Sequence, residues 1–411
     1  MPQRLSRRRF LSQTAGLGCT LAASPVWTPV TFAAAPWETR LVVIILRGGM
    51  DALDVIQPYG DPDYAALRRT LKGGPETGAA DLDGFYALHP ALMPLRPLWD
   101  RAELGFVHAV STPYRDKRSH FDGQDLLEAG TAGLDGRTDG WLNRLLQTVP
   151  GAGPRTAFAL GRDDMKLLRG PAGVSNWSPE ANLVMSPQAE RLAGLVMQED
   201  PLFHTALNEA LDLSRAEMGG TRLADQLDEG IDEKMAPMTI PQPQKGRMHR
   251  QIAAFAARQL RRDTRVASFS INGWDTHSRQ KAGLRAALGR LAETILEVQT
   301  GVGPDVWSKT AIVALTEFGR TVRENGTGGT DHGTGGAMVL AGGAIRGGRV
   351  QGHWPGLKEA DLYARRDLMP TADVRAQVAW ILRDVAGLDQ TTLENTIFPG
   401  VDMGANPKLL R

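Results

Sequence analysis

The stretch "RVASFSINGWDTHSRQKAGLRAALGRLAETILEVQT", residues 265–300, joins three kinds of segment in one line. It opens on the apolar run "RVASFSI" (265–271), short and near-continuous, as in a strand buried on both faces. It closes on residues 279–300, where Leu284, Leu288, Leu291, Ile295 and Val298 recur at three- and four-residue spacing, the stripe of a helix packed on a core. Between them lies "NGWDTH", which sets Asp275 and His277 just past the predicted strand.

The same alternation extends in both directions. "LVVIIL" (41–46), "LGFVHAV" (104–110), "TAFAL" (156–160), "TAIVAL" (310–315) and "AMVLAG" (337–342) read as further buried strands, and "RMHRQIAAFAARQLRRD" (247–263) reads as another helix. Strand and helix in this order predict an α/β fold with a mostly parallel central sheet and right-handed crossovers. The segment from about 162 to 245, with "PAGVSNWSPEANLVMSPQ" and the Pro-rich "MAPMTIPQPQKG", is less regular and is expected to be an insertion or cap.

The N-terminus carries a different signal. In "SRRRFLSQTAGLGCTLAAS" (6–24), Arg7 and Arg8 precede Phe10 and Leu11, a modestly apolar stretch and small residues. These are the parts of a cleavable export signal of the twin-arginine (Tat) type, so residues 1–35 are expected to be removed after passage through the Tat translocase. The protein is then periplasmic or secreted, and residues 36–411 form the working domain without a transmembrane anchor. Cys19, the single cysteine, leaves with the signal, and a thiol-free chain suits an oxidising compartment. The formal net charge of +1 gives no basic excess for nucleic acid, and loss of four N-terminal arginines leaves about −3.

Ligands of open α/β sheets collect beyond the carboxyl ends of the strands. Several runs deliver acids or histidines to that predicted edge. "LVVIIL" leads to Arg47 and Asp51, "RVASFSI" to Asp275 and His277, "TAIVAL" to Glu317, with "TDHGTGG" bringing Asp331 and His332, and "AMVLAG" leads through a glycine-rich turn to His353. Asp and neutral His suit Zn²⁺ or Mn²⁺, and a richer carboxylate set suits Ca²⁺ or Mg²⁺. Asp51, Asp275, His277, Glu317, Asp331, His332 and His353 are therefore candidate ligands for one or two divalent ions, which can clamp the oxygens of a phosphoryl transfer.

Plainer roles compete with each. An Asp after a strand often caps a helix or makes a turn, "DHGTGG" by itself is an ordinary loop, and His89, His108, His204 and His249 are assigned to surface or hydrogen-bonding roles. In "RSHFDGQDLLEAG" (118–130), Ser119 stands at a predicted helix start, where the first-turn N–H groups favour an anion and a nearby cation activates a hydroxyl. It is the candidate nucleophile, and a simple N-cap role is compatible with that. Arg47, Arg115 and Arg118 are candidates to hold substrate oxyanions, with surface solvation as the alternative.

Together, "ILRGGMDALDVIQPYGDPDY", "LHPALMPL", "RSHFDGQDLLEAGT", "DGWLNRLL", "GWDTH", "LTEFGRTVRENGTGGTDHGTGG" and "GGRVQGHWPGL" resemble the DUF1501 family of exported bacterial proteins across nearly the whole mature chain. That family resembles the alkaline phosphatase/sulfatase superfamily. The resemblance implies a three-layer α/β/α sandwich, one or two metals, and an anionic ester as substrate. It places Asp51 as the acid after the first strand, Ser119 as the nucleophile, Asp275 with His277 at one metal position, Asp331 with His332 at the other, and His353 as a late histidine ligand.

Two departures stand out. The Asp/His spacing is shortened to a single intervening residue in "DTH", and "TDHG" follows "VALTEFG" only after a loop, so either Glu317 or the Asp331/His332 pair takes the strand-end place. The expected activity is metal-dependent hydrolysis or transfer of phosphate or sulfate esters. The alternatives are a binding protein of the same fold that recognises a surface polymer or a protein partner, and a site whose metals are structural.

Overall fold

A computed structural model describes residues 35–161, 163, 165–179, 192–194, 196 and 247–411. The expected signal, apart from Ala35, and most of the expected insertion lie outside the described residues. Among the described residues the central sheet has nine strands: β1 Arg40–Arg47, β2 Leu104–Ser111, β3 Ala157–Leu160, β4 Ser175–Trp177, β5 Val266–Asn272, β6 Thr310–Leu315, β7 Gly336–Ala341, β8 Val350–Gln351 and β9 Ala372–Asp373. Their order is β8-β2-β7-β6-β1-β5-β3-β4, with β9 also paired to β2. All pairings are parallel except those of β7, which runs antiparallel to both β2 and β6.

That exception has a simple cause. A parallel neighbour needs a crossover, whereas residues 316–335 make a loop that returns the chain directly beside β6. The six apolar runs all form strands, while the short β4, β8 and β9 lack enough residues to show a pattern in sequence.

Continuous apolar character follows from burial on both faces. In β1, Val42, Ile44 and Leu46 join one core, and Leu41, Val43 and Ile45 join another. The first core holds α3 (Met248–Leu260) and α4 (Gln280–Trp307), through Phe255, Leu284, Leu288, Leu291 and Ile295. The second holds α2 (Trp141–Gln147) and α5 (Val374–Ala386), through Trp141, Leu145, Val378 and Ile381. α4 runs past the predicted end at 300 and breaks at Gly303, whose φ of 76° interrupts the ladder just before Pro304. A further helix, α1 (His120–Ala129), follows β2.

The carboxyl ends of β1, β2, β5 and β6 and the amino end of β7 lie on one edge of this sheet. Residues 48–54, 112–120, 273–280 and 316–335 emerge there.

Candidate metal centre

The turn after β5 packs against the end of β1 with no room to spare. Gly48 has φ of 125°, and a Cβ there would stand 2.4 Å from the Asp275 backbone nitrogen. Gly329 meets the same turn from the other side, where a Cβ would lie 2.4 Å from the His277 carbonyl. These two close approaches fix the backbone of Asp275 to His277 between β1 and the 316–335 loop.

Three imidazoles converge on Asp275. His120, the first residue of α1, places Nδ1 2.8 Å from Glu317 Oε1 and Nε2 3.5 Å from Asp275 Oδ2. His332 sets Nδ1 2.8 Å from the Arg118 carbonyl and Nε2 3.3 Å from Asp275 Oδ1. His277 sets Nδ1 3.1 Å from Asp331 Oδ1 and Nε2 3.1 Å from Asp275 Oδ1.

The partners of the three Nδ1 atoms are acceptors, so each ring donates its Nδ1–H and, when neutral, directs an Nε2 lone pair toward Asp275. Two consequences are visible. The Nε2 atoms of His277 and His332 face each other at 2.9 Å, and the buried Nε2 of His120 has no hydrogen-bond partner among the described residues. Two lone pairs that close need a proton or a cation between them.

The spacing suits an ion. One ligand atom each from His120, Asp275 and His332 lies within 4.8 Å of the others, and His277 joins them through its contacts at 2.9 and 3.1 Å. Ligand atoms bonded at ~2.0–2.1 Å to a tetrahedral zinc stand roughly 3.3–3.4 Å apart. The contacts of the three Nε2 atoms with Asp275 and of His277 with His332, from 2.9 to 3.5 Å, bracket that value, and His120 and His332 offer atoms within 4.8 Å of each other. The residues present therefore fit a divalent metal.

The electrostatics fit the same arrangement. Burial pushes the Asp275 carboxyl upward, but the Arg320 hydrogen bond and charge, with His277 and His120, bring it below the ordinary value. Burial likewise raises Glu317, and its bonds from His120, Gln124 and the backbone outweigh that. The Glu317 bond draws His120 upward, while burial is the main cause that lowers His332. Asp331 is held below the ordinary range first by Asn325, with His277 adding to it.

Arg320 is the hub on the protein side. Fully buried, it donates to Asp275 Oδ1 at 2.6 Å and to the carbonyls of Gly49, Gly48, Trp274 and Thr330 at 2.8–3.2 Å. It ties the strand ends and the long loop into one frame.

The candidates from sequence divide accordingly. Asp275, His277 and His332 meet in the cluster. Glu317 and Asp331 stand one step out, as acceptors that orient His120 and His277. Asp51 does not join them: it is a buried N-cap whose carboxylate receives Arg68 at 2.6 and 3.0 Å and Gln280 at 2.5 Å. With those bonds made, it has no reason to face a cation.

His353 is exposed, its carbonyl accepts from Thr371, and it lies outside the cluster. Arg47 is committed to Glu128 at 2.7 Å and Gln124 at 2.5 Å, and it reaches the centre only through Gln124 and Glu317. Arg118 contributes its main chain: a left-handed φ of 55° brings its carbonyl to His332, and its side chain is exposed. Arg115 binds the carbonyls of Thr112 and Tyr114. Ser119 is the N-cap of α1, and its Oγ accepts from the Asp122 amide at 3.4 Å.

Of the histidines given ordinary roles, His108 is buried beside the Ile56 carbonyl and lowered to about 4 by burial, His89 caps a 3₁₀ turn, and His249 pairs with Glu293. His204 lies outside the described residues. Two residues of the centre were absent from the candidate set. His120 adjoins Ser119 at the helix start, which was its one available signal, and Arg320 lies in the quoted "TEFGR" with nothing to distinguish it.

A family model described as "Protein of unknown function (DUF1501)" matches residues 108–394. The chain belongs to the DUF1501 family. The matched span of this DUF1501 protein holds His120, Asp275, His277 and His332 with Glu317, Arg320 and Asp331, while Arg47 and Asp51 precede it. No curated protein matches. Among solved structures, a 2-O GAG sulfatase aligns at 11% identity over 86% of this chain and 71% of that chain, with a TM-score of 0.33, too distant a likeness to assign a fold or an activity.

Proposed function

We propose that the protein binds one divalent metal through His120, Asp275, His277 and His332 and uses it to hydrolyse or transfer phosphate or sulfate esters. The observation that carries this reading is the convergence of three Nδ1-anchored imidazoles on one carboxylate. Three imidazoles and one carboxylate favour Zn²⁺ or Mn²⁺ over Ca²⁺ or Mg²⁺. One ion suits the site better than two, because Asp275 is the one carboxylate that all three imidazoles approach, with Arg320 already on its Oδ1, and Asp51 is tied to Arg68 and Gln280 instead.

When bound, the ion supplies Lewis-acid polarisation of the ester and of a nearby hydroxyl. Ser119, directly before His120, is the nucleophile of this scheme. Its capping bond of 3.4 Å is long and weak, which leaves the hydroxyl free to turn. Attack forms an Oγ–P or Oγ–S bond as the ester oxygen leaves. The hydroxyl proton passes to solvent, the leaving group takes one from water, and a second water cleaves the seryl ester. The exposed side chains of Lys117 and Arg118 offer positive charge to an anionic substrate.

The same reading takes the fold as an alkaline phosphatase-like three-layer sandwich and the protein as exported by the Tat translocase to the periplasm. Among the described residues, no helix is long and apolar enough to cross a membrane.

Elemental analysis of wild type beside an Asp275→Ala/His332→Ala variant tests the centre. Stoichiometric metal in wild type and none in the variant is the expected result, and no metal in either after reconstitution sinks the proposal. Aryl phosphates and sulfates then test turnover, which Ser119→Ala is expected to abolish with metal content unchanged. A metal-loaded protein that turns over none of a broad ester panel favours the binding-protein alternative.

A further inference from the structure

Gln280, the first residue of α4, is fully buried, and its amide makes all four of the hydrogen bonds open to it. Oε1 accepts from the hydroxyls of Thr276 at 3.0 Å and Thr330 at 2.7 Å. Nε2 donates to Asp51 Oδ2 at 2.5 Å and Asp54 Oδ2 at 3.0 Å. The orientation is unique, since the opposite one would set an oxygen against two carboxylates.

The partners matter more than their number. Thr276 lies between Asp275 and His277. Thr330 directly precedes Asp331 and His332. One amide oxygen thus holds the two loops that carry three of the four proposed ligands, although these loops are far apart in sequence. The other end of the amide is bolted to Asp51, which Arg68 fixes in turn while also donating to the Thr321 carbonyl at 2.8 Å. The main chain reinforces the join, with Thr330 N–H donating to the Thr276 carbonyl at 3.2 Å and Gln280 N–H to the Gly328 carbonyl at 2.9 Å.

We propose that Gln280 is a positioning residue that clamps the Asp275–His277 turn to the Asp331–His332 loop and so sets the spacing of the metal centre. This rests on the metal-centre reading above. Its side chain bonds none of the proposed ligand side chains and reaches their two loops through the hydroxyls of Thr276 and Thr330. Outer-shell partners of this kind are worth roughly tenfold to a hundredfold in metal affinity.

The test measures Zn²⁺ and Mn²⁺ affinity calorimetrically on the full chain, beside denaturant stability and hydrogen exchange of the metal-free protein. Gln280→Leu is expected to weaken binding about tenfold to a hundredfold. Thr276→Val and Thr330→Val should each lose part of that, and neither should add to the loss in a Gln280→Leu background. Thr276→Ser and Thr330→Ser, which keep the hydroxyls, should bind as wild type does. Tyr64→Phe, which removes a buried hydrogen bond to the Leu53 carbonyl in the same region, should cost stability and leave affinity unchanged.

Gln280→Leu that loses stability as Tyr64→Phe does, with metal affinity within twofold of wild type, overturns the clamp. Wild type that binds neither metal overturns the metal centre instead. Hydrogen exchange then decides the clamp alone: protection lost only in residues 273–279 and 327–333 supports it, and uniform loss or no loss refutes it.

Discussion

The cluster around Asp275 and the polar knot around Asp51 begin alike. Each follows a buried strand, each lies at a glycine-bearing turn, and each gathers acids on the same edge of the sheet. They finish with opposite chemistry. Asp51 is buried, meets Arg68 in a two-bond ion pair, receives Gln280, and has Asp54 beside it on the same amide. Asp275 is half-exposed and faces three imidazole nitrogens, one of them without a hydrogen-bond partner among the described residues and two pressed together. The knot is saturated within the chain, whereas in the cluster Arg320 meets one oxygen of Asp275 and the imidazole Nε2 atoms are left facing one another and the carboxylate. Position after a strand is shared and a buried arginine reaches both acids, so what separates them is the rest of their surroundings: an amide and full burial at Asp51, three imidazoles and partial exposure at Asp275.

The largest effect should come from breaking the saturated side. Arg68→Ala strands a buried carboxylate, and loss of one partner of a buried pair costs about 3–5 kcal/mol. Chemical denaturation should show that loss, and Asp51→Leu/Arg68→Met should recover much of it because no charge is left alone. A loss below about 1 kcal/mol for Arg68→Ala would mean that water reaches Asp51 and that the two regions differ less than described.

The cluster should respond in the reverse sense. His120→Ala removes one of several donors to the buried Glu317 carboxylate, so metal-free stability should fall by about 1–3 kcal/mol, less than at Arg68 because Gln124, Thr316 and the Gly48 amide still bond that carboxylate. Metal affinity should fall by at least about a hundredfold, or roughly 2.7 kcal/mol. Calorimetry and denaturation on the same preparation separate the two quantities. A large stability loss with metal binding intact would make His120 a core histidine and remove it from the centre.

Part of this contrast was legible in the sequence. Six apolar runs announced six strands, because burial on both faces leaves no polar alternation to confuse them. The direction of β7 was not legible, since a long loop and a crossover both read as polar sequence. Asp275, His277 and His332 stand out in the sequence because several strand ends deliver ligand types together, and the structure brings these three side chains within contact of one another. Asp51 shared that pattern, and only the fold brings Arg68 and Gln280 to it. His120 escaped because its neighbour Ser119 explained the same helix start. Glu317 and Asp331 were seen as ligands, and the structure sets them one bond farther out, a distinction of a few ångströms that spacing along the chain does not carry.

A pH titration sharpens the comparison on the buried side. Burial, and then the charge of Asp51, raise the Asp54 carboxyl to about 6, against about 3.9 in an unfolded chain. Between these values the folded state holds a proton that the unfolded state has lost, so stability falls as pH rises from about 4 to about 6 and is level above. The fall should be on the order of 3 kcal/mol. In Asp54→Asn that slope should flatten. An unchanged slope would place the pH dependence elsewhere, with the histidines of the cluster as the next candidates.

The smallest effect belongs to His353. The family resemblance gives it a ligand's role, whereas the structure leaves the residue exposed and apart from the four converging groups. An exposed side chain away from caps and networks is worth within ±0.5 kcal/mol, so His353→Ala should match wild type in stability and in affinity for Zn²⁺ and Mn²⁺. The result discriminates because His353 lies only two residues past β8, on the edge of the sheet where the centre forms. A tenfold loss of affinity would require that segment to swing toward Asp275 when metal binds. The cluster would then be completed partly by the chain itself, and the line drawn between the two regions would move with it.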